Sequence, residues 1–102
     1  MRLPFEAEAF AELEDAAVWY ERERPGYGRL FASEVRRTVG RAAELPQSGP
    51  PVPNTDTVHD VRRFAVRRFP YQVITALLEH QRVVVAVAHT ARLPGYWRSR
   101  LR

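Results

Sequence analysis

Apolar side chains recur along the first part of this chain at spacings of three and four. Phe10, Leu13, Ala17 and Tyr20 form one such stripe. The spacing predicts an amphipathic helix that starts at Glu6 and stops before the breaker pair Pro25-Gly26. Tyr27, Phe31, Val35, Thr38 or Val39, and Ala42 form a second stripe, so another helix is expected to end near Leu45-Pro46. The short connection from Arg24 to Gly28 makes the pair a helical hairpin. Ahead of them, Leu3 to Phe5 is a candidate first strand, too brief to assign on pattern alone.

The pattern changes at Pro46. Pro46 to Thr57 holds four prolines, a glycine, Ser48, Asn54 and Thr55 and reads as a loop, extended in places by its prolines. About a dozen residues is long for a loop in a small domain, so besides a crossover from helix to sheet it is a candidate contact surface. Val61 to Val66 then alternates as a strand, with Phe64 and Val66 inward, Arg63 on the other side, and Arg62 reaching out at the strand's end. Pro70 cannot donate a ladder hydrogen bond and belongs at the start of the next strand. Tyr71 to Leu78 and Val83 to Ala88 run apolar without alternation, as strands buried on both faces do. Glu79 to Arg82 is a hairpin connection. Tyr96-Trp97-Arg98 reads as a short terminal helix. The sum is an α+β fold in one domain, residues 1–102. A helical hairpin packs on one face of a three- to four-stranded antiparallel sheet, followed by a short C-terminal tail or helix. The other face and the groove toward the tail are expected to carry the arginines.

Charge sharpens this picture. Residues 1–57 hold seven arginines against ten acids, and residues 58–102 nine arginines against two. A basic sheet and tail on an acidic helical layer is a face for an anionic partner, either nucleic acid or acidic protein. No residue is lysine. The acids Glu6, Glu8, Glu12, Glu14 and Asp15 crowd the first helical turns, where carboxylates suit the helix dipole. Cysteine is absent, which removes disulfides and cysteine-based zinc sites and fits a reducing compartment. No run approaches the roughly 18 apolar residues of a membrane span, and the amino terminus lacks the apolar core of a signal peptide. The expected location is the cytoplasm, with no membrane partner.

Little in the chain announces chemistry. A Gly-rich phosphate loop, a nucleophile elbow and a paired-carboxylate signature are all missing, and the three histidines lack metal-ligand spacing, so neither metal nor cofactor is expected. His89 closes the most buried strand, where an imidazole can act as acid or base or can simply hold the neighbouring loop. His59 and His80 are weaker candidates. Arg62, Arg63, Arg67, Arg68, Arg92, Arg98 and Arg100 are available phosphate binders, with Tyr71, Tyr96 and Trp97 able to stack on bases. Their bland alternatives are a guarded sheet edge and aromatics packed back on the core.

Arg67-Arg68-Phe69-Pro70-Tyr71 and His89-Thr90-Ala91-Arg92-Leu93-Pro94-Gly95-Tyr96-Trp97 resemble the RelE/ParE superfamily of bacterial toxins from type II toxin-antitoxin modules. Ala9-Phe10-Ala11-Glu12-Leu13, Trp19-Tyr20, the Phe31 helix and the Pro46 to Pro53 loop extend the likeness over nearly the whole chain. The resemblance implies a growth-arresting toxin held inactive by a cognate antitoxin, reaching operator DNA only through the antitoxin complex. RelE-like members cut mRNA on the ribosome, whereas ParE-like members poison DNA gyrase without a nuclease centre. In the nuclease branch the work falls to basic sheet residues and a tyrosine near the chain's end. Here Gln72 and Thr90 stand where arginines are expected, and Arg63 and Tyr96 match. The His89, Arg92 and Pro94 ending looks more like the ParE branch. The resemblance therefore favours gyrase inhibition, and Arg62, Arg63, Arg67, Arg68, Arg92, Trp97 and Arg98 are the candidate target- or nucleic-acid-binding residues. The alternative is a ribosome-dependent mRNA endonuclease (mRNA interferase) built on His89, Tyr96, Arg63 and Arg92; a structural homologue without toxicity is the third reading.

Overall fold

The computed structural model describes residues 2–102. Helices α1 (Ala7–Glu23) and α2 (Tyr27–Glu44) precede strands β1 (Arg62–Ala65), β2 (Tyr71–Leu78) and β3 (Gln81–His89), and short 3₁₀ turns lie at Pro46–Ser48 and Tyr96–Arg100. The three strands form one antiparallel sheet in the order β1-β2-β3. Leu3 to Phe5 supplies no full strand. Phe5 bridges Val84 in parallel sense, with Glu6 N–H donating to the Val84 carbonyl (2.9 Å) and Val84 N–H to that of Pro4 (2.8 Å).

The hairpin is set by its turn. Gly26 adopts φ +90°, a left-handed conformation that favours glycine, and the Glu21 carboxylate accepts from the backbone N–H of Gly26 (2.9 Å) and Gly28 (3.0 Å). Those two bonds hold the Glu21 pKa below the ordinary carboxylate value. A Cβ on Gly28 would stand 2.4 Å from the Ala17 carbonyl, so glycine is what lets the helices close. On α1 the buried positions are Ala9, Leu13 and Ala16, while Phe10 is 49% exposed and turns its edge to Phe5. Of the expected stripe, Leu13 is buried and Ala17 and Tyr20 pack against the core, while Phe10 gives its place to Ala9. Close approach to the sheet selects the small alanines over the bulky ring. The α2 stripe lies as its spacing predicts, with Phe31, Val35, Thr38, Val39 and Ala42 buried.

The sheet is covered on both sides. Phe64, Val73, Val84 and Val87 face the helices, joined by the rings of Tyr20, Phe31, Phe69 and Tyr71. Ile74, Ala76, Leu78, Val83, Val85, Ala86 and Ala88 form a second apolar layer under Trp97, with Val52 and Leu101 at its margin. The second face is therefore mostly a core and not the arginine-bearing surface expected of it. A β-bulge makes this arrangement. Ile74 pairs with Ala86 and Thr75 with Val84, leaving Val85 unpaired, so Val85 and Ala86 join the same layer.

The proline-rich segment runs along β1's outer edge, where Val52 N–H donates to the Val61 carbonyl (3.0 Å) and Arg63 N–H to that of Pro50 (3.1 Å). Gly49 is pressed there, since a Cβ would lie 2.6 Å from the Phe64 ring. Gly28→Ala is expected to destabilise the chain by about 1–3 kcal/mol, because its contact is with backbone that cannot swing aside. Urea unfolding beside wild type measures it, and an unchanged midpoint would contradict the close-packed hairpin.

Candidate functional site

At the end of the sheet where β2 begins and β3 ends, the second face opens into a groove of 190 Å³ floored by Ile74 and Ala88. Arg63 and Gln72 enter it from β1 and β2. His89, Thr90 and Arg92 rim it from the chain leaving β3, and Tyr96 and Trp97 close it. Arg63 projects here because it pairs with Ile74 on the same face, and it is exposed.

The far wall is held by one carboxylate. Glu12, on α1, accepts from the Val87 N–H (3.0 Å), from both terminal nitrogens of Arg100 (3.0 Å each) and from the Tyr96 hydroxyl (2.6 Å), with Arg92 at 3.7 Å. Arg100 also donates to the Val85 carbonyl (2.8 Å). Partial burial first, and then the adjacent carboxylate, push the Tyr96 phenol well above its ordinary pKa. The phenol is a bound donor and a poor base. The guanidinium of Arg92 stands 3.7 Å from its ring centroid and that of Arg100 at 5.3 Å.

The structure brings four of the sequence candidates, Arg63, His89, Arg92 and Tyr96, around one groove. His89 accepts the Ala91 N–H at Nδ1 (2.9 Å) and meets the Tyr71 ring edge-on at 5.0 Å, so the proton of its neutral form sits on Nε2. The other candidates lie elsewhere. Arg67 and Arg68 are exposed in the β1–β2 turn, with Arg68 at φ +73°, and Arg98 holds the Pro53 carbonyl (3.1 Å). Two expectations need correcting. Arg62 does not reach out to solvent, because it binds Asp60 (3.0 Å), the Gly49 carbonyl (3.1 Å) and Gln47 and thereby fixes the loop. Trp97 is 3% exposed and belongs to the core of the second face, so its ring is not free to stack on a partner.

Sequence reasoning missed Glu12, which it assigned to the helix dipole. Its signal was faint: a carboxylate one position before the buried Leu13, whose partners lie more than seventy residues away. Among the described residues no cluster of three or more His, Asp or Glu is arranged to hold a metal, and no helix is long and apolar enough to cross a membrane.

A helical hairpin laid on a three-stranded antiparallel sheet, with a terminal turn closing the far face beside a basic groove, is the build of the RelE/ParE superfamily of small toxins. The fold matches a solved chain described as "Chromosomal ParDE TA system from P. aeruginosa", with a TM-score of 0.70 at 16% identity, over 87% of this chain and 95% of that one. Residues 3–94 match the family described as the ParE toxin of type II toxin-antitoxin system, parDE, and the chain belongs to that family. No curated protein sequence matches it.

Glu12→Gln is expected to destabilise the chain by about 2–3 kcal/mol, since it leaves the Arg100 guanidinium without its counter-charge in a partly buried site. Denaturant unfolding measures the loss. Tyr96→Phe removes one donor and should cost about 1 kcal/mol, so equal losses in the two variants would argue against Glu12 as the organising group.

Proposed function

We propose that this chain is a growth-arresting toxin that acts by inhibiting DNA gyrase in the cytoplasm and is neutralised by a cognate antitoxin. The observation that carries the reading is the state of the groove's acid–base candidates. The Tyr96 hydroxyl is engaged by Glu12 and its pKa is raised, while Gln72 and Thr90 occupy the positions where the nuclease branch is expected to place arginines. Inhibition of a target protein needs a complementary surface and no proton transfer. Exposed Arg63 and Arg92, with Arg67, Arg68 and Arg98 beyond the groove, supply a cationic surface for one.

A second surface supports the antitoxin. Between the amino-terminal segment and the two helices lies a groove of 450 Å³ walled by Leu3, Phe5, Phe10, Leu13 and Val39, with Arg2 and Arg36 beside it. Farther along the hairpin Val18 is 52% exposed beside Arg29. An apolar trough with arginine margins suits an acidic amphipathic segment that orders on binding. Operator DNA is then contacted through the antitoxin complex.

One observation favours the alternative reading, mRNA cleavage on the ribosome: Arg63, His89 and Arg92 converge on a single groove. There His89 would move the proton and the arginines would stabilise the phosphorane. Purified chain assayed for gyrase supercoiling beside ribosome-programmed mRNA cleavage decides between the two. Loss of supercoiling with intact mRNA is expected, and cleaved mRNA with gyrase untouched would overturn the gyrase reading.

In a growth assay, Arg63→Glu and Arg92→Glu are expected to reduce toxicity at least tenfold more than Arg24→Glu, and folded His89→Ala should remain toxic. Tenfold corresponds to about 1.4 kcal/mol of target affinity. Equal effects of all three charge reversals would remove the basic groove as the working surface. Phe10→Asp should leave toxicity intact and weaken antitoxin rescue.

A further inference from the structure

The imidazole of His59 stands between two groups that can only accept hydrogen bonds. Its Nδ1 lies 2.8 and 2.9 Å from the two carboxylate oxygens of Asp56, and its Nε2 lies 3.2 Å from the backbone carbonyl oxygen of Arg102. A neutral imidazole has one N–H and can serve one of these partners. An imidazolium has two and serves both. The requirement follows from the geometry alone.

The contact ties together parts of the chain that are far apart in sequence. His59 lies in the turn before β1, where its carbonyl accepts from Leu77 N–H (2.7 Å), and Asp56 also accepts from the His59 N–H (2.9 Å). Arg102 follows Leu101 and the 3₁₀ turn whose Trp97 covers the sheet's second face. The Arg102 guanidinium pairs with Glu6, the residue that precedes α1. Asp56, His59, Arg102 and Glu6 thus form a continuous series of polar contacts from the loop, through the end of the tail, to the start of the helical hairpin.

We propose that His59 is a proton-operated latch: as imidazolium it fastens the C-terminal segment to the turn at residues 56–59, and on losing its proton it loosens the segment that covers the sheet's second face. The released contact lies next to the apolar layer under Trp97, so the latch governs how firmly that layer stays closed. The inference is independent of which target the toxin acts on.

The surrounding charges set the pH range. The hydrogen bond that the ring donates to Asp56, and then the one to the Arg102 carbonyl, raise the His59 pKa above its ordinary value, while the bonds Asp56 accepts from His59 lower that of Asp56. Arg102 is the nearby cation, and it is directed at Glu6, with Glu79 from the β2–β3 turn and Glu8 from α1 also acting on it. Because the folded-state pKa of His59 is raised, its contribution is complete below about 6.5, the unfolded value, and is lost as pH rises through the folded value. Because that of Asp56 is depressed, its contribution is present above about 3.9 and is lost as pH falls through the folded value. The latch is closed between the lowered folded-state pKa of Asp56 and the raised one of His59, and it opens as pH rises through the latter.

Titration of the His59 ring by NMR, in wild type and in Asp56→Asn, tests the idea. A wild-type pKa above about 6.5 that falls in the variant is expected. Amide exchange at Leu101, whose N–H is bonded to the Arg98 carbonyl (3.0 Å), gives the second readout. Corrected for intrinsic rate, its protection should fall about threefold or more from about pH 6 to about pH 9, and His59→Gln should abolish that pH dependence. A wild-type pKa at or below about 6.5, or Leu101 protection indifferent to His59 titration, would falsify the latch. If His59→Gln fails to fold, Asp56→Asn carries the same comparison.

Discussion

The carboxylate of Glu12 is where three distant parts of the chain meet. It sits on α1, accepts a backbone N–H from β3, and gathers Arg100, Tyr96 and Arg92 from the tail. A partly buried charge is tolerated only when donors surround it, and here N–H and O–H groups from two other segments do so. The dependence is mutual. Without the tail Glu12 is an uncompensated charge beside the sheet, and without Glu12 the tail's two arginines and its phenol lose their common anchor. The rim of the groove is therefore positioned from the opposite side of the sheet.

That anchoring matters because β3 is an edge strand on its outer side, and free edges invite further pairing. Pro4 and Glu6 bind Val84 there, Arg100 binds the Val85 carbonyl, and Glu12 binds the Val87 N–H. The bulge at Val85 belongs to the same arrangement. By breaking alternation it places one more valine under the tail, and the sheet becomes the middle layer between the helices and the Trp97 segment. The far edge, at β1, is covered in part by the proline-rich loop, which Arg62 holds in place.

The arginines divide by this architecture more than by charge. Arg62 and Arg82 hold Asp60, Arg100 holds Glu12, and Arg102 holds Glu6. They act as internal ties, and their positive charge is largely answered on the spot. Arg63, Arg67 and Arg68 have no acidic partner within salt-bridge distance among the described residues, and Arg92 is paired only at 3.7 Å while half exposed. The positive charge left unanswered on the sheet side lies with this second group, gathered around and beyond one groove. A net charge summed over the sequence overstates the number of free contacts while giving their sign correctly.

Local pattern alone determined the helical hairpin, the order of the strands, the placement of Pro70 ahead of β2 and the charge contrast between the two halves. Each depends on spacing or turn chemistry within a few residues. The resemblance that pointed to the toxin family also lay in short local motifs. Tertiary structure decided which face of α1 is buried, because the choice of Ala9 over Phe10 depends on how closely the sheet approaches. It also decided that Arg62 and Trp97 face inward and that Glu12 organises the groove. The Glu12 contacts span more than seventy residues and those of Arg62 cross from β1 to the loop before it, and hydrophobic periodicity carries no record of which group outside its own element an arginine or a carboxylate will meet.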